Sequence, residues 1–190
     1  IKLALYDPQG KLERILKGVN FIRLKQLGEW DEESVLVIAP EALKGEKPWE
    51  ATVGDANPVL ERLNRKVQNG GRILVIEQTE EGSSWLPLQI SNQSSTMAFP
   101  HFPHHPITKG LTIDDLSWWR GDHIVSHCEP IRPIHAGMLP LITTGSAAGV
   151  SHAPLVEVRQ GSGVWLICQM KVVSKFESEP MARTLLQRML

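Results

Sequence analysis

Cysteine is nearly absent from this 190-residue chain, which holds only Cys128 and Cys168. Two thiols build no disulfide framework, and no CxxC pair suggests a metal knuckle. Net charge is nearly absent as well. Twenty Lys and Arg face twenty-one Asp and Glu, a formal charge of −1. Nothing electrostatic therefore draws the chain to nucleic acid or to an anionic membrane surface, and neither partner is expected. Long apolar runs are missing: none approaches the roughly 18 residues that a membrane span needs. The longest, residues 34–39 and 73–76, have the length of strands. Phosphate-binding loops are missing too. The first strand runs into Asp7-Pro8-Gln9-Gly10, not into a G-x-G-x-x-G or G-x-x-x-x-G-K-[ST] turn, so no nucleotide site and no cofactor are expected.

What is present is ordinary globular material, with 42% hydrophobic and 22% charged residues. That composition buries a core, and the length predicts one domain over residues 1–190. Ile1 to Tyr6 read as a strand that begins at once, with no initiator Met, basic leader or cleavage site. The expectation is a piece of a longer multidomain chain, with any targeting signal outside it.

The first third alternates strand and helix signals. Residues 2–6 are a strand and residues 7–10 a turn. Leu12, Ile15 and Leu16 then recur at helical spacing up to Gly18. Residues 20–24 are a short strand, and residues 34–39 an apolar run of the kind buried on both faces, ended by Pro40. Asn57-Pro58 opens a helix with an N-cap and a proline at its first position. Val59, Leu60, Leu63 and Val67 form its buried stripe, and Asn69-Gly70-Gly71 stops it. Residues 72–77 are the next strand. Strand, helix and strand with short connections predict parallel pairing. Residues 82–106 read as irregular structure over the edge of the sheet, and residues 112–116 as a helical turn capped by Thr112. Further on come a strand at residues 139–143, a hairpin of residues 154–159 and 163–168 about Gln160-Gly161-Ser162, and a terminal helix from Pro180. The expected fold class is α/β: a three-layer flavodoxin-like sandwich with a mostly parallel sheet, a C-terminal β-hairpin and a helix.

This series, with Gly70-Gly71-Arg72-Ile73-Leu74-Val75-Ile76 at its centre, resembles a class I glutamine amidotransferase-like domain. His105-Pro106, Gly110-Leu111, Leu116, Trp119, Gly121 and Asp122 resemble segments of accessory domains in bacterial glycoside hydrolases. So do Leu155-Val156-Glu157-Val158, Gly161, Gly163, Val164, Gln169 and the closing helix. The nearest comparison is the trimerisation-type domain of β-galactosidases, and the likeness spans nearly the whole chain. Catalytic members of the amidotransferase class set a nucleophilic cysteine in a sharp turn after a central strand, where backbone N–H groups and a distant base serve it. Here the strand ending at Ile76 runs into Glu77-Gln78-Thr79-Glu80-Glu81-Gly82, with no Cys or Ser in such a setting. The resemblance thus implies a domain without the class chemistry, partnered by sibling domains or by further copies of itself. By analogy with carbohydrate-active relatives, it implies a periplasmic or secreted setting.

Other chemistry is weighed beside it. Cys128, in Ser126-His127-Cys128-Glu129, is the candidate thiol nucleophile, with His123, His135 or His152 as the base. It has no glycine turn around it, and a structural cysteine is the plainer reading. Cys168 lies in an apolar strand and reads as a small buried hydrophobe. His101, His104 and His105 are candidate metal ligands, but the prolines among them fix an extended backbone that aims neighbouring side chains apart. No metal is expected. Trp118, Trp119 and Asp122 are candidate carbohydrate-binding residues, aromatic faces for a pyranose and an acid for its hydroxyls. In the plainer reading one tryptophan anchors the loop and the other meets a neighbouring domain. Asp7, Glu41, Glu77 and Gln78 follow strands, where open α/β sheets gather ligands, though polar residues are ordinary there. Glu77 with Glu157 as a glycosidase carboxylate pair needs a separation that sequence does not give. The expected function is a non-catalytic accessory or oligomerisation domain of a carbohydrate-active protein. The alternatives are a sugar-binding module on Trp118 and Trp119, or a thiol hydrolase or amidotransferase built on Cys128.

Overall fold

Four short apolar runs become four neighbouring parallel strands. These are β1 (Leu3–Tyr6), β2 (Phe21–Arg23), β3 (Val35–Ile38) and β4 (Arg72–Ile76). The computed structural model describes residues 2–44, 58–132, 137–146 and 149–190. All four residues of β1 are buried, as are Ile73 to Ile76 of β4. Strands that hide both sets of side chains must be covered on both faces, which is why these runs show no alternation. β2 is exposed and lies at the sheet's edge.

Eight strands form the main sheet, in the order β2-β1-β3-β4-β10-β9-β8-β6. β10 (Gly163–Cys168) runs parallel to β4, with Val164 opposite Arg72, and antiparallel to β9 (Gly149–Gln160). β8 (Met138–Ser146) and β6 (Phe99–Pro100) continue the sheet in antiparallel fashion, with bulges along the β8–β9 pairing. β5 (Ser94–Ser95) and β7 (Ser126–His127) make a separate two-stranded ribbon. The sheet is large and mostly parallel, and its β2-β1-β3-β4 order is that of flavodoxin-like proteins. The expected fold class is the one found.

Only two α-helices occur among the described residues, α1 (Pro58–Gln68) and α2 (Pro180–Met189). α1 begins at Pro58 as expected; Asn57 lies outside the described residues. Leu63 and Val67 are fully buried on its inner side. The hairpin between β9 and β10 reaches back to its end. A Cβ on Gly163 would sit 2.0 Å from the Val67 carbonyl oxygen and 2.3 Å from that of Gly71, so this strand start must be glycine. α2 is capped by Glu179, whose carboxylate accepts the Met181 N–H, and it buries Ala182, Leu185 and Leu186.

The helix expected from Leu12 to Gly18 is not there. That stretch is a run of turns in which the Asp7 carboxylate accepts the N–H groups of Lys11, Leu12 and Glu13 at 2.8–3.0 Å. Leu12 and Leu16 are buried all the same. Six residues before a glycine are too few to offset helix nucleation, and a carboxylate that gathers three successive N–H groups competes for the same donors. Residues 82–106 are mostly irregular, as expected, but include the tail of a 3₁₀ helix (Glu80–Trp85) and the edge strand β6 itself. No helix among the described residues is long and apolar enough to cross a membrane.

Candidate functional site at the carboxyl edge of the sheet

The parallel strands all point one way, so the residues that follow them collect along one edge. A cavity of about 450 Å³ opens there. Lys11 and Arg14 reach it from the turns after β1, and Pro40 and Glu41 follow β3. Glu77, Gln78 and Thr79 follow β4, while Gln169, Lys171, Val173 and Ser174 follow β10. His127 of β7 closes another side, with its Nδ1 2.5 Å from the Ser94 hydroxyl.

Two glutamines hold these strand ends in place. The Gln78 side chain donates to the carbonyls of Ala39 and Ile76 at 2.7 and 2.6 Å and accepts the Leu43 N–H at 3.1 Å. Gln169 accepts the Gln78 N–H and donates to the carbonyls of Gln78 and Cys128, each at 2.7 Å. Both side chains are buried. A buried amide with every partner in place fixes the backbone around it, because any shift strands a polar group away from water. The turns after β3, β4 and β10 and the loop at Cys128 are thus tied into one frame.

Glu77 stands at the turn after β4 with φ 45°, a left-handed conformation rare for a side chain of this size. Its N–H donates to the Cys168 carbonyl at 2.8 Å, and its own carbonyl accepts the Glu41 N–H at 3.0 Å. Glu77 Oε1 accepts the N–H groups of Val173 at 2.6 Å and Ser174 at 3.2 Å. Burial raises the Glu77 carboxyl above its usual range, against the pull of these hydrogen bonds. Glu41, also left-handed at φ 55°, is ion-paired with Lys11, whose hydrogen bond holds its carboxyl low. The geometry is a sharp, rigid turn directly after β4, with a carboxylate on it. It can accept hydroxyls and exchange a proton; it offers no thiol or alkoxide.

The candidates from the sequence lie elsewhere. Cys128 is 4% exposed, with φ 52°. Burial raises its thiol, opposed by the Glu80 N–H, and the charges of Glu80 and Glu41 raise it further. Among the described residues it is hydrogen-bonded to no histidine; His135 lies outside them. Cys168 is buried in β10, and burial raises its thiol too. Trp119 is 1% exposed, with its indole N–H on the Asp115 carbonyl, and presents no face to solvent. Its neighbour Trp118 is 58% exposed. Asp122 grips Lys171 at 2.9 Å and also Lys175, and these lysines, Lys175 first, hold its carboxyl far below the usual range. Thus Trp118, Trp119 and Asp122 do not form one platform. His105 lies 3.4 Å from Glu157, His101 meets the edge of Phe102, and His104 is exposed. No group of three metal-binding side chains occurs among the described residues. Glu157, bound by Arg159 as well, does not line the cavity. Sequence reading marked Glu41, Glu77 and Gln78 by their place after strands, but missed Lys11, Arg14, His127, Gln169 and Lys171. The same rule, carried three residues past β10, would have found the last two.

Fold and site together define a flavodoxin-like α/β domain with a polar pocket at its carboxyl edge. No family model and no curated protein matches the chain. Solved structures do. A cytoplasmic protein from Salmonella typhimurium is similar with a TM-score of 0.55 and 15% identity, over 99% of this chain and 96% of that one. A ThuA-like protein from Bacteroides uniformis is similar at 0.56 and 9%, over 98% and 88%. The cold-adapted β-galactosidase of Rahnella is similar at 0.56 and 12%, over 99% of this chain but 30% of the enzyme. At such identities the likeness is one of fold.

Proposed function

We propose that this chain is a non-catalytic module of a larger carbohydrate-active protein, holding sibling domains or further copies of itself together. The observation that carries the reading is Glu77. The turn that presents a nucleophile in catalytic relatives of this fold carries a carboxylate here, hydrogen-bonded by the N–H groups of Val173 and Ser174. The similarity to about a third of a β-galactosidase supports the accessory role. Trp118, exposed on a left-handed backbone at φ 55°, is the residue we assign to the contact. The test is the size of the native polypeptide, detected by an antibody to this domain. A band well above the 21.2 kDa of this chain is expected; a native protein of this size alone would overturn the multidomain reading. Non-catalysis has its own check. Cys128 should resist thiol reagents in the folded protein, and Cys128→Ala should fold and leave function unchanged. Hydrolysis of glutamine or of an ester that Cys128→Ala abolishes would overturn it.

A further inference from the structure

We propose that the pocket at the carboxyl edge binds a small hydroxylated carboxylate, an acidic sugar in chemical class, with its carboxylate on Arg14 and its hydroxyls on Glu77 and Glu41. The inference is independent of the accessory reading, since a stand-alone protein could use the same pocket.

Size comes first. About 450 Å³ is in the ordinary range for small-molecule sites, roughly 300–1,000 Å³, and suits a ligand of one or two rings. Charge comes second. Lys11 is neutralised by Glu41 and Lys171 by Asp122. Arg14 lines the same cavity and has no ion pair among the described residues. A guanidinium offers a planar fork of donors that matches a carboxylate in two parallel hydrogen bonds. Lys11 and Lys171, both short of full solvation, add donors on either side. An acceptor-rich, singly anionic group fits this end of the pocket.

The rest of the wall says what the ligand carries besides. Glu77 and Glu41 are acceptors, and a hydroxyl donor satisfies them where a second anion is repelled. Among the described residues that line it, only Pro40 and Val173 are apolar by type, so the rest of the apolar wall is the carbon stems of polar side chains, a surface for the ring carbons of a sugar. Inorganic phosphate would suit the cations but meets both carboxylates with a larger negative charge. An amino acid would bring an ammonium for the glutamates but few hydroxyls. The wall is also rigid. The glutamine frame fixes Glu77 before any ligand arrives, so little ordering is needed on binding.

The experiment is calorimetric titration of the folded chain with D-glucuronate, D-glucose, inorganic phosphate and L-glutamine as separate probes. Glucuronate is expected to bind, and glucose at least about tenfold more weakly. Arg14 is exposed, so Arg14→Gln should fold normally and weaken glucuronate about tenfold or more, the usual loss when a charge-assisted hydrogen bond goes. Glu77→Gln, which keeps an acceptor for Val173 and Ser174, should weaken glucuronate and glucose alike. No glucuronate binding would overturn the proposal. So would equal binding of glucose, tighter binding of phosphate or glutamine, or indifference to Arg14→Gln. None of these results touches the native size of the polypeptide, so the accessory reading stands or falls separately.

Discussion

Residues 117–129 and the carboxyl edge of the sheet make opposite use of reactive side chains. The loop holds two tryptophans, two histidines, an aspartate, a cysteine and a glutamate within thirteen positions. Most of them serve the fold. Trp119 fills the core, and Lys175 bonds the carbonyls of Trp119 and Arg120 as well as Asp122. Glu129 is fully buried, its carboxylate capped by the hydroxyls of Ser126 and Thr144. The edge, by contrast, gathers residues from four strand ends that lie far apart in the sequence into one cavity, to which the loop lends only His127 among the described residues. Density of reactive residues along a chain is thus a poor guide to chemistry. Convergence in space is the better one, and topology supplies it.

The contrast can be broken most forcefully at Trp119. Trp119→Ala should destabilise the protein by about 3–5 kcal/mol, the usual loss for a large buried aromatic, read from urea unfolding. A loss under about 1 kcal/mol would mean that the loop is not built on this residue. Next comes the frame of the edge. Gln169→Leu strands the Gln78 N–H and two carbonyls, and should cost at least about 3 kcal/mol, since each buried group left unpaired costs about 1–3. It should also raise amide exchange at residues 77–79 and 128, which would sharpen the claim that one side chain ties both regions together.

A third prediction turns on pH. Burial raises the folded-state Glu77 carboxyl above its usual 4.5. The unfolded chain therefore gives up its proton first as pH rises. The stability this group contributes is fully present below 4.5 and is lost as pH climbs from there through the folded value. Glu77→Gln should remove that decline, so the unfolding midpoints of the two proteins should diverge with rising pH, in favour of the variant. A pH-independent difference would mean that Glu77 titrates alike in both states. The smallest effect belongs to Trp118. Trp118→Ala should change stability by no more than about 0.5 kcal/mol. A loss to match Trp119→Ala would erase the distinction between the two neighbours.

Much of the fold was legible, for a definite reason. β1, β3 and β4 are buried on both faces, and so each is written as an unbroken apolar run. The hairpin announced itself through Gly161 and Gly163, which the approach to α1 requires. Leu12, Ile15 and Leu16 misled because a helical spacing also suits consecutive turns that face one core. The site was less legible. Left-handed backbone at Glu41, Glu77 and Cys128 has no signature in the residue types, which would ordinarily be glycine or asparagine. Arg14 and Lys11 look like ordinary surface charges until the strand order brings β1 beside β3. Gln78 and Gln169, 91 positions apart, had nothing in the sequence to join them.

The place of β10 also sets an order of events during synthesis. β4 leaves the ribosome with one edge paired to β3 and the other bare. The strand that covers the bare edge is made only after β5 to β9. Until then the growing chain carries an open parallel edge in its middle, a surface prone to mispairing. Closing it joins segments far apart in sequence, which makes the step slow. β10 therefore acts as the clasp of the whole sheet. A nascent chain stalled before Gly163 would depend on a chaperone, although most of its core residues had already been made.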